Sequence, residues 1–248
     1  MEEVIKVEQL FKSYGRLVAV NNLNISVKPG MVFGLLGANG AGKSTAIECI
    51  LGTKRSDSKE ISILGMNPQR ERKKLFEKVG VQFQEANYQD KITVSELCEV
   101  TQSLYKEGTN YIELLKQFGI NDKLNSPGQE LSGGQRQRLF VILALLSNPE
   151  VVFLDELTTG LDTKARRDVW KILSGLKAKG LTIFLTSHYM DEVEALCDCI
   201  CILKHGRTVF YGTVQEAINS SPYDKLEDAY LWDTEDVEKD DEDLSNNA

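Results

Sequence analysis

The stretch GANGAGKS, from Gly37 to Ser44, restricts the possible folds more than any other feature of the chain. It fits G-x-x-x-x-G-K-[ST], in which the backbone N–H groups of small residues curl around phosphate oxygens and the following helix aims its positive N-terminus at them. The flanks agree with that reading. MVFGLLG before it is apolar without alternation, as a parallel strand buried on both faces is, and TAIECILG after it has a helical pattern. The bland alternative is a plain glycine turn. With glycine at about 7% of residues, chance would place this pattern in on the order of one per cent of such chains, and the context lowers that further. In the functional reading Asn39, Gly40, Ala41, Gly42, Lys43, Ser44 and Thr45 surround a nucleotide's phosphates. Lys43 reaches the β- and γ-phosphates, and the Ser44 hydroxyl is a ligand for Mg²⁺.

A second half of such a site follows at VVFLDE, residues 151–156. Asp155 ends an apolar strand, where packing gives a carboxylate no role, and it can hold the Mg²⁺ shell. Glu156, one step on, can orient or deprotonate the attacking water. The guanine-reading N-K-x-D pattern is absent, and Tyr14 in FKSYGRL can stack on an adenine ring.

The rest of the chain predicts an α/β fold of the P-loop NTPase kind. The first thirty residues alternate apolar and polar positions, which predicts an N-terminal antiparallel β subdomain with a turn at Pro29-Gly30. Residues 92–147 are mostly helical in pattern and read as a helical subdomain inserted into a parallel sheet, roughly 88–147. LTIFLTS at 181–187 is another buried strand. Before it, TKARRDVWKILSGLKAKG reads as a helix with Asp162 as N-cap and Gly180 as its stop. The helix MDEVEALC and a hairpin turning at His205-Gly206 complete the pattern.

Charge is concentrated at one end. Of a net −8, residues 224–248 supply eleven acidic side chains against two lysines, so the body is near neutral. That leaves no basic stripe for nucleic acid, and residues 233–248 read as an acidic, disordered tail. MEEVIKVEQL has no secretory pattern, and the longest apolar run, Leu139–Leu146, is too short to span a bilayer. Five cysteines fit a reducing compartment. CxCxC at Cys197, Cys199 and Cys201 lacks the spacing of a zinc site, so these residues read as small buried side chains.

LSGGQRQR, at 131–138, supplies a second small-residue turn that opens a helix. With the phosphate loop and the acidic strand end in this order, the chain resembles the nucleotide-binding subunits of ABC ATPases over residues 2–232. In that family two cassettes stack head to tail, with ATP between the phosphate loop of one and the LSGGQ turn of the other. The resemblance implies that Leu131, Ser132, Gly133, Gly134 and Gln135 grip a partner's nucleotide, where the helix N-terminus and the serine hydroxyl suit a γ-phosphate. It implies further roles position by position: Tyr14 stacks on adenine, Gln84 in VGVQFQEAN reaches Mg²⁺ and the attacking water, Asp162 in TTGLD communicates across the dimer, and His188 in LTSH is the switch near the γ-phosphate. Gln82 competes with Gln84, which the FQE context favours. His205, in a hairpin turn, reads as surface. The family usually has D-E-P-T-S-G-L-D where this chain has DELTTGLD. Leu157 in place of proline relaxes φ at that step, which predicts a less rigid turn behind Glu156.

The resemblance implies an ATPase using ATP and Mg²⁺, a second ATP-binding subunit with a homodimer favoured, a separate membrane permease, and a place on the cytoplasmic face of the membrane. The segment from LTSHYMDEVEALC to YDKLEDAYL is more similar to exporters of drugs, bacteriocins and lipids than to importers. An importer ATPase is one alternative. The main rival is a soluble ABC ATPase acting on nucleic acid or the ribosome, against which stand the short gap between motifs and the single phosphate loop. A regulatory, non-hydrolysing cassette is a third, against which stand the retained Glu156, His188 and LSGGQ.

Overall fold

The computed structural model describes residues 3–82, 91–106 and 108–235. Two sheets organise the chain. In the first, β1 (Ile5–Tyr14) pairs antiparallel with β2 (Leu17–Val27) and with β4 (Glu60–Ile63). The alternation seen in the sequence turns Ile5, Val7 and Leu10 inward against Val20, Leu23 and Ile25.

The second sheet has the order β5-β6-β7-β3-β8-β9, with β3 (Val32–Leu36), β5 (Val79–Gln82), β6 (Val151–Asp155), β7 (Thr182–Ser187), β8 (Cys199–Lys204) and β9 (Arg207–Gly212). Its first five strands run parallel; β9 is antiparallel to β8. Every residue of β3, β6 and β7 is buried, which explains why these strands read as unbroken apolar runs. The turn between β8 and β9 falls at His205-Gly206, as expected, with both residues at positive φ as a tight hairpin requires.

Helices cover both faces. α1 (Lys43–Ile50) follows β3 and packs Ala46, Ile47 and Ile50 between the two sheets, beside Phe33, Phe153 and Phe184. α2 (Arg72–Leu75) is a single turn. On the other face lie α3 (Val94–Gln102), α4 (Tyr111–Gln117), α5 (Gly133–Leu145) and α6 (Thr163–Ala178), which share one apolar cluster with Val152, Leu154, Ile183 and Leu185. α7 (Met190–Leu196), α8 (Val214–Asn219) and α9 (Leu226–Glu235) close the remaining edge over Leu36, Ile200 and Ile202. α9 runs three residues past Trp232, where the acidic tail was expected to begin. Residues 236–248 lie outside the described part.

Local chemistry fixes the helix ends. Thr93, Ser132 and Thr213 each form a capping box with a Glu or Gln three residues on. Asp162 caps α6 by accepting from Ala165 N–H at 2.8 Å, as the sequence predicts. Cys201 is wholly buried in β8, and burial pushes its thiol up to about 12.

β5 and α5 approach closely at Gly80, where an added Cβ would lie 1.9 Å from the Ala144 carbonyl oxygen. Neither backbone can yield independently, so Gly80→Ala is expected to destabilise the fold by about 3 kcal/mol, at the upper end for overpacking. Urea unfolding would measure it; a loss below about 1 kcal/mol would mean that α5 can slide on the sheet.

Candidate functional site

Three neighbouring strands deliver their C-terminal ends to one place. Leu36 of β3 lies opposite Ser187 of β7, and Asp155 of β6 opposite Thr186. The phosphate loop, the Asp155-Glu156 pair and His188 therefore emerge side by side, as ligand-binding groups do at the carboxyl ends of parallel strands.

Lys43 is 4% exposed, and its Nζ donates to the carbonyls of Gly37 at 2.8 Å and Ala38 at 3.2 Å. The same Nζ is 3.6 Å from Glu156 Oε1, and His188 Nδ1 approaches that oxygen to 3.8 Å. Thr186, wholly buried, donates its hydroxyl to Asp155 Oδ1 at 2.6 Å and accepts from the Glu156 N–H at 2.9 Å. One threonine thus holds both acids. Burial pushes the Asp155 carboxyl above its usual range, opposed by the Thr186 bond and Lys43. A carboxylate held this way favours a nearby cation, which would offset its desolvation, so the site fits a Mg²⁺ bound by Asp155 and the exposed Ser44.

Glu156 adopts φ +50, a left-handed conformation rare for a residue with a Cβ. A proline at 157 would push its predecessor toward extended backbone, so Leu157 suits the observed turn. Leu157 is also only 2% exposed and packs into the helical-face core. That side chain packs the turn that the missing proline is expected to loosen.

A cleft of 470 Å³ lies over the phosphate loop, lined by Asn39, Gly40, Lys43, Ser44 and Thr45 on one side and by Tyr14, Leu17, Val18 and Glu156 on the other. Its volume is in the range that holds a nucleotide-sized ligand. Tyr14 is 43% exposed, with the amines of Lys12 and Lys54 5.0 and 5.7 Å from its ring centre. Gly42 has φ +105, and an added Cβ would meet the Ala19 carbonyl at 2.3 Å, so only glycine closes the loop against β2. Ala41, 6% exposed, accepts from the Gly206 N–H at 3.0 Å. That contact brings His205, exposed in its hairpin turn as expected, to the edge of the cleft. Leu17, Val18 and Thr186 were also not singled out from the sequence. Leu17 and Val18, exposed apolar residues directly after the Tyr14 turn, were the available signal.

The LSGGQ signature turn, Leu131–Gln135, forms a second group. Ser132 Oγ accepts from Gln135 N–H at 3.3 Å, and Gln135 Oε1 accepts from Ser132 N–H at 3.0 Å. Leu131 is buried, whereas Ser132 and Gly133 are exposed. Gly134 faces Leu161 and Ala165, so this turn abuts the start of the helix that Asp162 caps. None of Leu131–Gln135 lines the cleft above their own chain's phosphate loop. Gln82 ends β5 and is 3% exposed; Gln84 lies outside the described residues.

Comparison with known proteins agrees with this geometry. The family described as "ABC transporter" matches residues 20–159. The chain is 37% identical over 220 residues to a Nod factor export ATP-binding protein I of Rhizobium etli, covering 87% of this chain and 70% of the relative. It is 40% identical over 214 residues to the protein of the same name from Rhizobium meliloti, covering 84% and 64%. A solved structure titled as the ATP binding subunit of an ABC transporter superimposes with a TM-score of 0.84 at 25% identity, over 93% of this chain and 99% of that one.

Proposed function

We propose, from the premise that this chain belongs to the ABC transporter family, that it is the ATP-hydrolysing subunit of an exporter and works as an ATP-sandwiched dimer beneath a separate membrane permease. The chain is an ATPase subunit of a transporter; the dimer, the permease and the direction of transport are the proposal. The observation that carries it is the division of the motifs. Lys43 and Glu156 line one cleft, with His188 3.8 Å from Glu156 and Asp155 preceding Glu156 at the same strand end, while Leu131–Gln135 present a helix N-terminus that contributes nothing to that lining or to those contacts. An anion grip in that position serves a second cassette, with Asp162 beside it at the seam.

In this reading the adenine lies on Tyr14 with Leu17 and Val18 beside it. The backbone of Asn39 to Thr45 surrounds the phosphates, and Lys43 exchanges its loop carbonyls for phosphate oxygens. Bound Mg²⁺ would neutralise phosphate charge, held by Asp155 and Ser44 with Gln84 as a further ligand. Glu156 takes the proton of the attacking water, and His188 holds Glu156 and the γ-phosphate in register. Residues 2–232 make up the cassette, with the helical subdomain at roughly 88–147 and the acidic tail beyond. ATP favours the closed dimer by its differential affinity and hydrolysis releases it.

No described helix is long and apolar enough to cross a membrane. Val100 and Leu104, 57% and 74% exposed at the end of α3, offer apolar contact to a permease at the cytoplasmic face. The relatives named for Nod factor export support export. Affinity capture of the tagged chain from detergent-solubilised native membranes tests the reading: a multi-span partner is expected, and recovery only with ribosomes or DNA-bound proteins would overturn it. Tyr14→Ala is expected to weaken ATP binding by about tenfold, the value of one aromatic stacking contact. Equilibrium binding of ATP would show it, and an unchanged affinity would place the base elsewhere.

A further inference from the structure

Glu192 is an ionisable side chain buried to 2% exposure that the proposed hydrolytic site does not use. It lies near the start of α7, and its Oε1 accepts from Trp170 Nε1 at 3.1 Å. The Ser187 and Thr158 hydroxyls and the Arg166 guanidinium lie close enough to favour the charged carboxylate against the burial that raises its pKa, and the Ser187 Oγ also accepts from the Tyr189 N–H at 3.0 Å. Thr158 is wholly buried, and its Oγ1 has no partner at bonding distance. Arg166 in turn lies 4.1 Å over the Tyr189 ring and 3.2 Å from Asp191.

Each of these contacts belongs to a segment that carries a site residue. Thr158 follows Glu156 by two positions, Ser187 immediately precedes His188, and Trp170 and Arg166 stand on the helix that Asp162 caps. We propose that Glu192 is a positioning residue for ATP hydrolysis, its carboxylate tying the turns of Glu156 and His188 to the helix opened by Asp162. An apolar side chain could fill the space between α6 and α7 without desolvating a charge, and such replacements of buried charge are often neutral or stabilising. A carboxylate there instead supplies a directed acceptor to Trp170 of α6 and a negative charge beside the Ser187 and Thr158 hydroxyls. Misplacement of reacting groups by about 1 Å costs on the order of a hundredfold in rate, so a tether of this kind acts on turnover without touching nucleotide.

This inference rests on Glu156 and His188 being the hydrolytic pair, so Glu156→Gln accompanies the test. Turnover, ATP affinity and thermal midpoint are measured on the full chain at concentrations where turnover per chain has reached its plateau. Glu192→Ala is expected to lower kcat about tenfold or more, with ATP affinity within twofold. Glu192→Gln keeps an acceptor for Trp170 and gains a donor for the hydroxyls; burial already raises the carboxyl pKa, so a neutral amide is a close substitute. It is expected to restore at least about a third of wild-type kcat. Trp170→Phe, which removes one donor and keeps a ring, is expected to lower kcat at least about threefold, and it decides the matter should Glu192→Ala not fold. A folded Glu192→Ala with kcat within twofold of wild type overturns the proposal, as does unchanged kcat in Trp170→Phe. A kcat loss that only follows lost ATP binding also overturns it. If Glu156→Gln itself turns over normally, the hydrolytic assignment falls and this inference with it; an inactive Glu156→Gln beside a fully active Glu192→Ala sinks this inference alone.

Discussion

Glu156→Gln is expected to lower steady-state ATP turnover by about two to four orders of magnitude, the range that a positioned general base contributes, while ATP affinity stays within about threefold or tightens. The amide keeps the shape of the side chain and its place 3.6 Å from Lys43 and 3.8 Å from His188, but it cannot take a proton from water. Losing one partner of a buried ion pair usually leaves the other charge exposed to a desolvation penalty. Lys43 avoids most of that penalty because it retains the carbonyls of Gly37 and Ala38. Removing a carboxylate beside the proposed γ-phosphate position would also remove a like-charge repulsion. Phosphate release gives the turnover, and size-exclusion chromatography with Mg-ATP gives the assembly, where the variant should accumulate as a dimer. Hydrolysis within tenfold of wild type would show that another group activates the water.

Gly134→Asp separates the two halves of the proposal. A Cβ at Gly134 would make ordinary contacts at 3.5 Å to Leu161 and 3.6 Å to Ala165, so the fold should tolerate the side chain. A carboxylate in the first turn of α5 would sit where a partner's γ-phosphate is expected. Like charge at that point costs several kcal/mol across an interface, so turnover should fall by at least about a hundredfold. ATP binding to the isolated chain should not change, because the signature turn does not line its own cleft. Loss of both together would mean that the turn serves its own nucleotide or that α5 has unfolded, and circular dichroism tells these apart.

The parts of the site legible in the sequence are those whose chemistry is local. The phosphate loop is contiguous, Asp155-Glu156 follows a buried strand directly, and the Ser132 and Asp162 caps declare themselves by residue type and spacing. Strands β3, β6 and β7 were readable because burial on both faces leaves unbroken apolar runs. β4 and β5, four residues each, are too short to show a period. α8 was missed although its Thr213–Glu216 capping box was present, because the six residues after the cap show little periodicity. Thr186 was hidden for a different reason: a threonine inside an apolar strand is ordinary, and only the register of β6 against β7 reveals that it holds both acids. His205 joined the cleft through Gly206 and Ala41, a contact between distant backbones that no local pattern encodes.

The position of β3 between β7 and β8 has a consequence for how the protein is made. The phosphate loop leaves the ribosome early, but its strand has no neighbours until Thr182–Ser187 and then Cys199–Lys204 have been synthesised. Until then Val32–Leu36 is an apolar segment with unpaired edges, the kind of surface on which nascent chains aggregate or bind chaperones. Non-local pairing of this kind is also slow, since chain closure must precede any stabilising contact. A ligand that binds only the folded cleft stabilises only a chain long enough to pair β3 on both edges, so products ending before β8 are expected to gain less from nucleotide than the finished protein.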